Sequence, residues 1–158
     1  MSEKLTHLNE RGEAHIVDIG GKAVTARRAV ARARLEAKPE TVAAIVGGTL
    51  KKGDALAVAR IAGIMAAKKT SDLIPLCHPI ALSKVEVEIA VEGGDLVVTA
   101  TAETSDRTGV EMEAMTAASV AALTLYDMAK GIDRAMRVST IELVEKSGGK
   151  SGDFRRDG

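Results

Sequence analysis

Large rings are scarce in this chain: tryptophan is absent, and Tyr126 and Phe154 are the only tyrosine and phenylalanine among 158 residues. A core without rings must be filled by Ala, Val, Leu, Ile and Met, which pack closely but bury little area apiece. Such a chain gains from burying further surface against copies of itself, so an oligomer is expected. Cysteine is confined to Cys77. No internal disulfide is therefore available, a secreted disulfide scaffold is excluded, and a reducing cytoplasm is the expected setting. Excess charge is missing too. The 22 basic and 22 acidic side chains give a formal net charge of +0, which removes the simplest argument for nucleic acid or a membrane surface as partner. The most apolar window, 115–128, is broken by Thr116, Ser119, Thr124 and Asp127 and falls short of the roughly 20 residues of a membrane span. Residues 1–15 contain no apolar core of a signal peptide. The hydrophobic share is nevertheless 46%, enough for one compact domain and too much for a disordered chain.

What is present divides the chain into a single domain, 1–158, with a polar, glycine-bearing arm over 1–21 and a polar tail over 147–158 that is expected to be mobile. Residues 22–35 (KAVTARRAVARARL) carry five basic side chains and no acid; their alternation allows a strand, and their alanines suit a helix equally. Pro39 fits a first helical turn, and a short helix over 40–46 is stopped by Gly47-Gly48. Asp54 is the expected N-cap of a helix over 55–69, apolar almost all round and so expected to be buried all round. After a proline-bounded loop at 71–82, Val85, Val87, Ile89 and Val91 alternate with charged residues, Gly93-Gly94 closes a hairpin, and Leu96, Val98, Ala100 and Ala102 line the return strand. A long Ala-rich helix over 110–130 and a strand over 138–146 complete the order. Strand, helix in two pieces, strand, strand, helix, strand is the α+β, ferredoxin-like (split βαβ) plan, an antiparallel sheet with helices on one face. That plan favours a strand at 22–35, and by itself it says nothing of function.

Several groups of residues offer chemistry. Gly149-Lys150-Ser151 matches the end of a P-loop, but the required first glycine falls on Val144 and no helix follows, so a P-loop is rejected. The Gly-Gly-Lys-Ser-Gly segment still presents backbone amides and an ammonium, which suits an anion as well as a solvated tail. Pro75-Leu76-Cys77-His78-Pro79 is stiffened by its prolines and holds His78 either toward a ligand or as part of a structural loop; one Cys and one His do not make a zinc site. Asp127 and Lys130 share a helix face behind the apolar stretch 120–126, where partial burial would tune them for proton transfer and full exposure would leave an ordinary ion pair. Glu111 and Glu113, at the start of the same helix, suit the positive end of its dipole in any case. Fourteen residues separate Glu113 from Asp127, about 21 Å along a helix. Either the substrate is elongated or a second subunit brings one end beside the other. On a strand, Arg28, Arg32 and Arg34 would share one face and Arg27 would lie on the other; with Lys51-Lys52-Gly53 these arginines form a candidate clamp for phosphates, or else a solvated strand edge.

The segments DLIPLCHPI (72–80), LSKVEVE (82–88), TGVEMEAMTAASVAALTLYDM (108–128) and KSGGKSGDF (146–154) resemble the cyclic pyranopterin monophosphate synthases, the molybdenum cofactor biosynthesis proteins C. The resemblance runs from Leu5-Thr6-His7 to Phe154. It implies a cytoplasmic lyase with a ferredoxin-like fold, assembled as a homohexamer of three dimers with sites at subunit interfaces. The implied reaction converts (8S)-3′,8-cyclo-7,8-dihydroguanosine 5′-triphosphate to cyclic pyranopterin monophosphate with release of diphosphate. On the matching motifs, Asp127 is the implied catalytic residue and Lys130 its acid–base partner, while Leu76, Cys77, His78, Met112 and Glu113 contact substrate and Glu111, Lys52, Lys146 and Arg27 line the site. No resident cofactor or metal is implied; a divalent ion such as Mg²⁺ would come with the triphosphate. The family's Lys-Thr-Gly-Val-Glu motif has Arg107 at its first position here, which keeps the charge but changes a point contact into a forked one. The rival class is a ferredoxin-like nucleotide- or protein-binding module without catalysis. An RNA-binding version would need exposed aromatics on its strands, and 83–92 and 95–104 hold none.

Overall fold

A computed structural model describes residues 8–157; residues 1–7 of the expected arm, with the Leu5-Thr6-His7 start of the resemblance, and Gly158 lie outside the described residues. The elements are β1 (Thr25–Glu36), α1 (Pro39–Gly47), α2 (Ala55–Lys68), α3 (Thr70–Leu73), β2 (Lys84–Glu92), β3 (Asp95–Asp106), α4 (Glu111–Ala129), β4 (Arg137–Ser147) and β5 (Phe154–Arg155). The strands form one antiparallel sheet in the order β2-β3-β1-β4-β5. This is the expected α+β arrangement, with the basic run at its centre as a strand. β5 is an addition: part of the tail folds back on β4, pairing Phe154 with Lys146 and Arg155 with Glu145.

One face of β1 explains why the chain needs no rings. Ala29, Ala31, Ala33 and Leu35 are fully buried and sit opposite Ala102, Ala100, Val98 and Leu96 of β3. Ala114, Ala117, Ala118, Ala121, Ala122 and Leu125 of α4 lie on this alanine floor. Methyl against methyl lets helix and sheet approach closely, and density replaces side-chain size. The hairpin between β2 and β3 turns at Gly93 (φ 58°) and Gly94 (φ 84°), both in the left-handed region a two-residue hairpin turn requires. Asp54 caps α2 by accepting from the Ala57 amide at 3.1 Å. The buried Asp133 accepts from the Lys38 amide and the Thr41 hydroxyl, both at 3.0 Å, and so holds the start of α1 from a distant loop. Those donors keep its carboxyl below the usual range.

Two expectations are corrected here. The helix read as buried all round is not: α2 leaves Val58, Ile61 and Met65 exposed at 41%, 59% and 51%. Residues 58, 61 and 65 form one stripe at helical spacing, and Leu123 of α4 is exposed as well. The arginine run is also not one clamp. Alternation sends Arg28, Arg32 and Arg34 to the sheet face without helices, where they pair with Glu145 and Glu103, Glu142, and Asp95 respectively. Arg27 alone points with the alanines to the helix side.

Candidate active site

The site residues read from the sequence gather in two clusters, one at each end of α4. At its N-terminal end, the Pro75–Pro79 loop brings Leu76, Cys77 and His78 against Glu111, Met112 and Glu113. Together with Val17, Ile19, Lys22, Thr108 and Gly109 they line a cavity of about 340 Å³. Lys146 reaches this cluster from β4. The register opposite Ala29 turns it to the helix side, and its ammonium pairs with Glu111 at 2.9 Å and donates to Ser151 Oγ at 2.7 Å. Arg27 lies just beyond, its Nε donating to the Asp106 carbonyl at 3.0 Å.

Glu113 is the unusual member. It is 4% exposed, and burial above all, with the Glu111 charge added, pushes its pKa up to about 7. A carboxyl in that range gives and takes protons at neutral pH. Burial, and then the Glu113 charge, also raise the pKa of Cys77, which therefore stays a thiol and suits contact rather than attack.

At the C-terminal end of α4, Asp127 sits between two ammoniums, Lys130 Nζ at 2.9 Å and Lys52 Nζ at 3.3 Å. Lys52 also donates to the Asp127 carbonyl at 3.0 Å. It thereby satisfies one of the orphan carbonyls that end a helix and places a cation where the dipole favours one. The turn at Leu50–Gly53 carries it there. Hydrogen bonds from Lys130 and then Lys52 hold the Asp127 carboxyl below its usual range. Of the two settings left open for Asp127, the exposed one is found: its side chain is 54% exposed, because residues 123, 127 and 130 lie on the stripe of α4 that faces away from sheet and α2. Lys52, grouped in the sequence with phosphate binders, stands beside the acid–base pair.

Fourteen helical residues, about 21 Å, keep the clusters apart within one chain. Cavity residues not read from the sequence as site residues are Val17 and Ile19 of the arm, Lys22 just after it, and Thr108 and Gly109 before α4. Lys22 opens the basic run, which was a visible signal; the arm's return over the site had none. Among the described residues no three His, Cys, Asp or Glu gather to hold a metal ion, and no helix is long and apolar enough to cross a membrane.

The model of the MoaC family matches residues 16–149. The chain belongs to that family. A cyclic pyranopterin monophosphate synthase of Thermomicrobium roseum is 56% identical over 98% of this chain and 94% of its own. One of Parvibaculum lavamentivorans is 54% identical over 98% of both chains. The likeness read from the four motifs is thus the family found, and the MoaC match spans both clusters of the site.

Proposed function

We propose that the chain is a cyclic pyranopterin monophosphate synthase, a cytoplasmic lyase of molybdenum cofactor biosynthesis. It converts (8S)-3′,8-cyclo-7,8-dihydroguanosine 5′-triphosphate to cyclic pyranopterin monophosphate and releases diphosphate. The observation that carries the reading is the division of the site into two clusters at opposite ends of α4. Neither is complete alone: one holds His78, Glu111 and Glu113 in a cavity, and the other holds Asp127 with its two lysines in the open. A second copy, docked along the exposed stripe of α2, sets the Asp127 cluster of one chain against the His78 cluster of the other. Three such dimers make the hexamer.

Each group then has a task that its surroundings suit. Asp127 and Lys130 exchange protons with the substrate while the purine opens and the pterin forms. Glu113, His78 and Glu111 orient the base and ribose, with Leu76, Cys77 and Met112 packing against them. Arg27, Lys146 and Lys52 offset phosphate charge as diphosphate departs. Supplying the cyclised triphosphate to the purified protein and following diphosphate tests this directly. Release by the wild type, lost in Asp127→Asn and Lys130→Ala, is the expected result. Tight binding without any product would make the chain a nucleotide-binding module instead.

A further inference from the structure

Asp133 is a buried carboxylate, 3% exposed, to which the proposed reaction gives no task. It lies three residues beyond Lys130, in the loop that follows α4. The Lys130 amide donates to the Tyr126 carbonyl at 2.8 Å, and the Ala129 carbonyl then accepts from the amides of Ile132 at 3.0 Å and Asp133 at 3.2 Å. Lys130 is thus held inside a tight turn that ends on Asp133. The Tyr126 hydroxyl donates to the Arg134 carbonyl at 3.1 Å and fastens the next residue of the loop.

The Asp133 side chain reaches a different element. Its Oδ2 accepts from the Lys38 amide and the Thr41 hydroxyl, both at 3.0 Å, at the start of α1. α1 carries that anchor forward as a packed unit, with Thr41, Val42 and Ile45 buried. It stops at Gly48 (φ 70°), and the turn at Leu50–Gly53 then presents Lys52 to Asp127. Both ammoniums that flank Asp127 therefore trace back to Asp133, Lys130 through three residues of loop and Lys52 through α1. Packing between the two helix ends does not fix their spacing, because a cavity of about 510 Å³, lined by Ala44, Leu50, Lys51, Met128 and Ile132, lies there. Among the described residues, the side-chain hydrogen bonds that cross this gap are those of Asp133 and those of Lys52 itself. The exposed pair of Lys52 with Asp127 holds little by its own strength, whereas bonds to a buried carboxylate are costly to leave unmade.

We propose that Asp133 is a positioning residue for the acid–base cluster: by tying the loop after α4 to the start of α1, it fixes the distance at which Lys52 and Lys130 meet Asp127. The task of Asp127 in turnover rests on the function proposed above; the placement of its two lysines rests on the bonds of Asp133.

A thiol in place of the Asp127 carboxylate reports that placement without any turnover. In the full-length protein carrying Cys77→Ser and Asp127→Cys, the thiol faces Lys130 from its own helix and Lys52 from the turn after α1. Thiolate absorbance against pH gives its midpoint, which the two ammoniums set below the ordinary value of about 8.5. Adding Asp133→Ala raises the midpoint by about one unit, a 10-fold loss of thiolate at a given pH, as Lys52 withdraws. Asp133→Asn keeps an oxygen that accepts from both donors and leaves the midpoint within about 2-fold of its parent. Thr41→Val deletes one of the two bonds, gives about a 3-fold change, and carries the test if the Asp133→Ala protein does not fold. With Asp127 and Cys77 native, kcat falls about 10-fold in Asp133→Ala and recovers in Asp133→Asn. An unmoved midpoint in whichever of Asp133→Ala and Thr41→Val folds, or an equal rise in Asp133→Asn, leaves Asp133 a helix anchor only and overturns the proposal. A midpoint that shifts as stated in a protein that never turns over the cyclised triphosphate keeps the positioning and ends the proposed activity. Normal turnover with an unmoved midpoint does the reverse.

Discussion

Glu113 and Asp127 are two carboxylates on one helix with opposite environments, and they make opposite predictions. Glu113 is buried and its pKa stands near 7 rather than near 4.5. The folded state therefore holds a proton that the unfolded state has released between those values. Below both values the group has no effect; as pH rises from about 4.5 to about 7 the unfolded state ionises while the folded state keeps its proton, so stability falls, by an amount of order 3 kcal/mol at most, and above 7 it levels off. Glu113→Gln abolishes that dependence, so its melting temperature gains on the wild type between about pH 4.5 and about pH 7. A constant gap across that range would show that Glu113 ionises normally. Asp127, held low by Lys130 and Lys52, is ionised throughout the same range. Being half exposed, it contributes little to folding. Asp127→Asn is expected to melt as the wild type does while losing about 100-fold or more in turnover, the usual scale of a lost acid–base group. The roles proposed for these residues rest chiefly on motif resemblance. Periodicity put Asp127 on a helix face but could not say which face lacks a neighbour, so burial and exposure both stayed open until the fold decided.

At the scale of elements, alternation and caps were good guides wherever one face meets the core. The β2–β3 hairpin, the Asp54 cap and the extent of α4 follow from residues a few positions apart. The basic run needed the whole fold, since KAVTARRAVARARL satisfies helix and strand equally and only its neighbours β3 and β4 decide. Once the run is a strand, alternation alone puts Arg28, Arg32 and Arg34 on one face and Arg27 on the other, as expected. The two-residue β5 depends on a chain reversal through three left-handed glycines and had no alternation to announce it. The α2–α4 crossing makes a sharper prediction. A Cβ on Gly63 would lie 2.9 Å from the Ala117 carbonyl and 3.2 Å from Ala121, both on α4, and 3.1 Å from Val87 on β2, so no single shift relieves it. Gly63→Val is expected to cost about 2 kcal/mol and lower the melting temperature by several degrees. An unchanged melting temperature would mean that the crossing is loose. Because α2 carries the stripe proposed to meet a second copy, turnover should fall with it.

At the scale of the molecule, a ring-poor core is closed by alanine density on one face of the sheet, and the other face is closed by ion pairs. That second face argues against an RNA-binding module: it bears no aromatic residue, and its arginines already hold Glu103, Glu142, Glu145 and Asp95. The same economy of apolar area leaves Val58, Ile61, Met65 and Leu123 outside, close to what the lack of rings led one to expect of a chain that associates with itself. The site repeats the pattern, since about 21 Å of helix separates its halves. The central claim is that each working site takes Asp127 from one chain and Glu113 from another. Subunit mixing measures it. Asp127→Asn and Glu113→Gln proteins, each inactive alone, are unfolded together in equal amounts and refolded. Random pairing about a two-fold axis leaves about a quarter of all sites with both native residues, so about a quarter of wild-type turnover returns. Turnover no higher than that of either variant alone would place both carboxylates of a working site on the same chain and contradict the account.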